Sequence, residues 1–413
     1  MYPPLERDKI VLFVLMIWQN TKRYLFPGIF LLSLLIFLAH TAFTKTAIFA
    51  DGRFYYAITR SLVKDFDLKF ANEYEVLDVE PSSTHNDYVW NKYPPGAPLL
   101  WAPLFFIVDG ALITFKTLGL STEATGFGVI YEISVAATTA FLGTFGLYLV
   151  YQLLKNYFSN TVATLATLAF FGGTNLLFYI AVEPINSHAA SFFVSSLFVY
   201  YFLRYQKEKR YYLVLGLIGG VAGLVRTQDL LILVVPVVRI IYKYKHNLSK
   251  LITNLKPLTA GFTLGFLPQI FFWKKIFNTF WYSPYFEEGI SLLKPQISHV
   301  LFNFQNGLFT LTPIVAISFL GLFLFLRKSK ILGFYAFSYF LIQLYVISSW
   351  SGFFQGGSFS IRMMVTTYPL LSFGLASVID SSRKKIGISL TFSIIILMSA
   401  LNSFLIIRYL LLN

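Results

Sequence analysis

The 413-residue chain is 56% hydrophobic and 13% charged, with a mean hydropathy of +0.65 and no cysteine. A soluble protein carries nearer a quarter charged residues, which excludes two or three soluble domains, and the missing cysteines exclude a disulfide-stapled secreted scaffold. The net charge of +14 sits in basic clusters between apolar runs rather than on one continuous face, which reads as membrane topology and contact with a lipid bilayer, with no nucleic acid as partner.

The apolar runs are continuous, not alternating, so a transmembrane β-barrel is excluded. Many reach the roughly 18 residues that cross a ~30 Å hydrocarbon core as a helix, and 45 Phe with 26 Tyr supply the aromatic content of membrane belts. The expected fold class is an all-α polytopic membrane protein forming a single membrane domain over residues 1–413.

In chain order, Ile10 to Trp18 is too short to span, and no small-residue cleavage site follows it, so no removable signal peptide is expected. Arg7, Lys9, Lys22 and Arg23 then precede the first expected span, 24–44. Further spans are expected at 128–152, 161–182, 187–204, 211–226, 229–244, 257–275, 307–326, 331–349, 362–380 and 386–408. Lys155 lies between the second and third of these. Arg204, Lys207, Lys209 and Arg210 form the next basic group, followed by Arg239, Lys243, Lys245, Lys250 and Lys256. Arg327, Lys328 and Lys330 come later, and Arg383, Lys384 and Lys385 last. The positive-inside rule places all these groups, and the N-terminus, in the cytoplasm.

Sidedness then fixes parity. An even number of crossings must separate the N-terminus from Lys155, yet three apolar stretches lie between them. The stretch 96–118 contains Asp109 and Lys116, and a charge at mid-depth costs at least ~2.5 kcal/mol. It is therefore expected not to cross but to lie in the outer membrane region as a re-entrant or juxtamembrane helix. The result is about eleven spans, with a first outer loop at 45–127, a second at 276–306 and a glycine-rich outer loop at 350–361. Long outer loops on a bundle carry function.

The segment from Ala50 to Leu62 places Phe54, Tyr55, Ile58 and Leu62 at helical spacing, the pattern of an interfacial helix with one face in lipid. Asp51 stands at its start, either as an N-cap or as a carboxylate held at the outer boundary, where a lipid-linked and a water-soluble substrate can meet. In Asn91-Lys92-Tyr93-Pro94-Pro95-Gly96 the prolines fix an extended turn, and Lys92 is either a snorkelling lysine or a point charge for phosphate. Trp350 to Arg362 is glycine-rich. Backbone N–H groups of such a loop can cradle an oxyanion, and Arg362 can hold phosphate bidentately. Glu183, His188, Arg226 and Asp229 fall at the outer ends of adjacent spans.

These motifs together resemble the C-type membrane glycosyltransferases (GT-C), and within them the protein O-mannosyltransferase and lipid A aminoarabinose transferase group. The resemblance is carried by Asp51-Gly52 after the first span, Lys92-Tyr93-Pro94-Pro95, the Glu183-Pro184 bend, Gly223-Leu224-Val225-Arg226, and Trp350-x-Gly352 followed by Ser358-Phe359-x-x-Arg362. It implies a GT-C-like bundle in the cell membrane with an extracytoplasmic active site. It also implies a polyprenyl-phosphate sugar donor, and an acidic first-loop residue, here Asp51, as general base. Many members carry two adjacent acids where this chain has Asp51-Gly52, so a partner acid comes from elsewhere or is dispensable.

Such a transfer is an in-line, inverting attack that needs a base on the acceptor hydroxyl and fixed positive charge on the departing phosphate. Asp51 is the expected base, with Lys92, Arg226 and Arg362 as phosphate ligands. Arg53, Tyr93, His85, Asp87, Glu183, His188, Asp229 and Gln355 are substrate-binding candidates. The acceptor is a hydroxyl on a lipid, glycan or protein. No cofactor is required; a divalent metal could use Asp51, Glu183 and His188, though no spacing demands one. The competing readings are a transporter or flippase of lipid-linked glycans, which would place its charges at the midplane within inverted repeats, and a polymerase of such glycans. The unusual charges here lie at the outer ends, and no repeat is present.

Overall fold

A computed structural model describes residues 24–282 and 284–412, so the Ile10 to Trp18 run and the basic group ending at Arg23 lie outside the described residues. Each expected span falls on helical chain. Among the described residues six helices are long and apolar enough to cross a bilayer: Leu25–Thr44, Gly96–Thr117, Val129–Leu154, Lys330–Ser349, Arg362–Ile386 and Ile388–Leu412. Large apolar side chains such as Leu35, Phe43, Leu397 and Phe404 stand exposed on the first and last of these. Patches of that kind are stable against lipid, not water.

The 257–275 stretch lies within the continuous Leu248–Phe277 helix, and the other expected spans are shorter or interrupted. The 161–182 stretch forms Asn160–Gly173, begun by Ser159 accepting the Val162 N–H, then breaks at extended Thr174 and resumes as a π-turn over Phe178–Val182. Likewise 229–244 is a 3-10 turn, Thr227–Leu233, leading into Val234–Tyr244. The 307–326 stretch divides into Leu308–Leu311 and Pro313–Phe325, because Pro313 lacks the N–H that would continue the first turn.

The tightest helix pair is Tyr211–Val225 against Leu248–Phe277. Gly216 and Gly220 face the backbone of Leu258 and Phe262, while Gly261 and Gly265 face that of Leu213 and Leu217, so closely that any Cβ would collide. Two small-xxx-small faces therefore interlock, the device by which helices in lipid gain packing without a hydrophobic driving force. The pair fixes the position of Arg226, the residue that ends the first of the two helices.

Between the Leu25–Thr44 and Gly96–Thr117 helices, Gly52–Arg60 runs into a π-turn at Ser61–Asp65, followed by a short helix at Ala71–Val76. A two-stranded antiparallel hairpin, Ser83–His85 with Tyr88–Val89, follows; it was not expected in an all-α chain. The expected lipid-facing side of the first helix is corrected. Tyr55 and Ile58 are buried within the protein, Tyr55 against the rings of Tyr93 and Trp101, so its apolar stripe faces the fold rather than the bilayer. Asp109, midway along Gly96–Thr117, is ion-paired with Lys64 at 2.8 Å and accepts a hydrogen bond from Tyr131.

Candidate active site

Asp51 precedes the Gly52–Arg60 helix, yet its side chain makes no capping hydrogen bond. Its two oxygens go elsewhere. Oδ1 accepts from the Tyr93 hydroxyl at 2.8 Å and Oδ2 is ion-paired with Nη2 of Arg362 at 2.7 Å. Burial, reinforced by the neighbouring Asp51 charge, pushes the Tyr93 hydroxyl far above its ordinary pKa, so Tyr93 stays protonated and donates. The capping explanation of Asp51 fails on this geometry.

Asn91 explains why the Lys-Tyr-Pro-Pro segment meets Asp51. Its Oδ1 accepts the Tyr93 N–H at 3.0 Å and its Nδ2 donates to the Phe54 carbonyl at 3.1 Å, an Asx turn that pins the segment onto the first-loop helix. Beyond the prolines, Gly96 abuts the backbone of Leu224 and Val225, where a Cβ has no room. That contact sets Lys92 and Tyr93 beside Arg226.

The glycine-rich loop is pinned from several sides. Tyr179 donates to the Phe359 carbonyl and Tyr409 to that of Gly357, while Gln355 Oε1 accepts the Met363 N–H. Gln355 and Ser360 adopt left-handed backbone at φ 57° and 59°. This conformation costs a non-glycine residue roughly 1 kcal/mol or more and concentrates at functional sites.

Asp51, Lys92, Tyr93, Arg226, Gln355 and Arg362 line one cavity of about 390 Å³, together with Tyr55, Tyr285, Glu288, Trp350 and the loop from Ser351 to Gly356. Three cations and two carboxylates thus face a common space. Gln355 Nε2 is buried with no hydrogen-bond partner among the described residues. Lys92 Nζ lies 2.5 Å from Glu288 Oε1 and near the Tyr93 and Tyr285 rings.

On the other side of Asp51, a smaller pocket holds Glu183, Asn186, Ser358 and Arg362. Burial pushes the Glu183 carboxyl up to about 7, against the pull of Arg362 and with the help of Asp51. Glu183 thus lines one small pocket together with Asp51 and Arg362. The other expected residues are placed differently. Arg226 contacts His188 Nδ1 at 2.5 Å rather than Asp229, and the fully buried Asp229 accepts from Ser191. Arg53 donates to the Asp78 carbonyl, and His85 meets the Ile276 carbonyl, where it holds the hairpin. Asp87 is exposed in the hairpin turn. None of Arg53, His85, Asp87 or Asp229 lines the cavity. Asp51, Glu183 and His188 do not form a ligand set: among the described residues no three His, Cys, Asp or Glu side chains gather closely enough to share an ion.

Sequence reasoning missed Tyr55, Tyr285, Glu288 and Trp350 as lining residues. The adjacent acids Glu287-Glu288 in an otherwise acid-poor outer loop were the available signal for one of them.

The chain is similar in fold to the solved structure of ArnT from Cupriavidus metallidurans in the apo state, with a TM-score of 0.49 and 14% identity over 81% of this chain and 55% of that one. ArnT is a lipid A aminoarabinose transferase, a GT-C enzyme. The present chain spans about half its length. No family model and no curated protein matches the chain.

Proposed function

We propose that this protein is a membrane glycosyltransferase that moves a sugar from a polyprenyl-phosphate donor to a hydroxyl acceptor at the extracytoplasmic face. The observation that carries the reading is the Asp51 carboxylate, held by Tyr93 and Arg362 on the wall of a cavity that also presents Lys92 and Arg226. Base and cations at one space are what an in-line glycosyl transfer from a phosphate requires.

In the proposed step, the acceptor oxygen attacks the anomeric carbon as Asp51 takes the hydroxyl proton. The bond from that carbon to the phosphate oxygen breaks, and the electron pair leaves with the lipid phosphate. The donor is a phosphodiester monoanion, so its departure creates a phosphate dianion. Lys92, Arg226 and the N–H groups of Arg362 not turned to Asp51 would bind that developing charge. Glu183 would tune the Asp51–Arg362 pair from behind.

The testing experiment incubates purified protein in nanodiscs with a panel of polyprenyl-phosphate sugars and acceptors, and measures release of polyprenyl phosphate. Release that requires Asp51 supports the reading. Passage of intact lipid-linked glycan between leaflets, without release, would favour a transporter instead.

A further inference from the structure

Glu288 belongs to the second outer loop, yet both of its carboxylate oxygens are used inside the cavity. Oε1 pairs with Lys92 at 2.5 Å, and Oε2 accepts from the indole N–H of Trp350 at 2.9 Å. Its backbone is fastened too: Ser351 donates through its hydroxyl to the Glu288 carbonyl and through its N–H to that of Gly289, and the Ser291 N–H donates to the Ser349 carbonyl. One carboxylate therefore ties the Lys-Tyr-Pro-Pro segment, the second outer loop and the start of the glycine-rich loop together. Two oxygens of one anion bridging an ammonium and an indole N–H is also how a phosphate group would occupy those donors.

Charge counting gives this pairing a direction. Lys92, Arg226 and Arg362 against Asp51 and Glu288 leave the cavity lining at +1 when all five are ionised. A dianionic lipid phosphate brings the total to −1 with Glu288 in place and to neutrality with Glu288 removed. Like charges a few ångströms apart in a partly buried site repel strongly.

We propose that Glu288 is a positioning residue that stands in for the donor's phosphate on Lys92. Donor binding displaces it, and its return to Lys92 expels the phosphate product. This inference rests on the transferase reading above and adds to it a competition between the second outer loop and the substrate phosphate. Trp350 serves as the second donor that holds the carboxylate in its waiting position.

The test uses the full chain in nanodiscs with undecaprenyl phosphate as probe, its binding followed by native mass spectrometry and its inhibition of turnover by kinetics. Glu288→Gln should bind the probe roughly 10-fold more tightly and show stronger product inhibition. Its KM for donor and its kcat should fall together, a pattern that loss of folding, which lowers kcat and leaves KM unchanged, would not produce. Trp350→Phe, which keeps an aromatic ring but removes the indole N–H, should shift binding the same way by a smaller factor and serves if the Glu288 variant does not fold. Equal or weaker probe binding in a folded Glu288→Gln variant overturns the competition and leaves the transferase reading intact. If the wild type binds no undecaprenyl phosphate and releases none from any donor, the transferase reading falls and this inference with it.

Discussion

Asp51 Oδ2 and Arg362 Nη2 meet at 2.7 Å, joining the segment after the first span to the segment that enters the next-to-last helix of the bundle. The contact aims the carboxylate at the cavity. It also means that the proposed base and a proposed phosphate ligand are adjusted together.

Asp51→Asn is expected to reduce glycosyl transfer by ~10²- to 10⁴-fold, the usual loss on removing a general base. The helix does not lose a cap, since Asp51 makes none. The amide N–H must instead face either the Tyr93 hydroxyl or the Arg362 guanidinium, both donors to the native side chain, so a modest fall in thermal stability should accompany the loss. Turnover at saturating donor in nanodiscs checks this, and wild-type turnover in the variant would reject Asp51 as the base.

Lys92→Ala and Arg362→Ala should each weaken donor use, because each removes positive charge facing the departing phosphate. Arg362→Lys should rescue only in part: an ammonium can meet Asp51 or the phosphate, whereas the planar guanidinium can address both. Donor KM and kcat for the three variants provide the measurement. Normal kinetics in both alanine variants would remove these residues from the site.

Glu183 leads to a pH prediction. Burial raises its carboxyl from 4.5 to about 7, so the folded state holds the proton more tightly than the unfolded chain. The stabilisation is complete below about 4.5 and is lost as pH rises through about 7. Glu73, buried beside Arg60, is raised over the same range and adds to the slope. Thermal unfolding in detergent from about pH 5 to 8 should therefore show falling stability, less steeply in Glu183→Gln and least in the double Glu183→Gln, Glu73→Gln variant. An unchanged slope in both variants would contradict the burial of these acids.

The parity argument predicts that residues 96–118 do not cross the membrane. The Gly96–Thr117 helix is long enough to do so, but Asp109 pairs with Lys64, which lies within a few residues of the Arg60, Asp65 and Glu73 ion pairs. A cluster of that polarity would be costly at mid-bilayer. The chain has no native cysteine, so a Ser121→Cys variant can be labelled cleanly. Modification by an impermeant reagent from the outer side is expected. Modification only from the cytoplasmic side would refute the argument.

The helices were legible because each expected span is a long apolar run with basic residues at one end. Their interruptions at Thr174, at the passage from the 3-10 turn to the α-helix at Leu233–Val234, and at Pro313 were not, since hydropathy averages over breaks of a few residues. Asp51, Lys92 and Arg362 stood out as polar groups at the outer ends of apolar segments, and the structure gathers them around one cavity. Sidedness names a face of the bundle but not a cavity within it, which is why His85, Asp87 and Arg53 were grouped with them. Glu288 and Trp350 reach the cavity through a pairing of two loops distant in sequence, and no local pattern encodes that pairing.

The interlocked glycines of Tyr211–Val225 and Leu248–Phe277 make the altitude of Arg226 a property of backbone register. Sliding one helix past the other by a single residue would raise or lower that guanidinium by ~1.5 Å, half the length of the hydrogen bonds it makes. The pair therefore behaves as a ruler, graduated at its glycine contacts and read at Arg226. A bulky substitution at Gly220 or Gly261 should register as a change in phosphate affinity, far from any atom that touches the ligand.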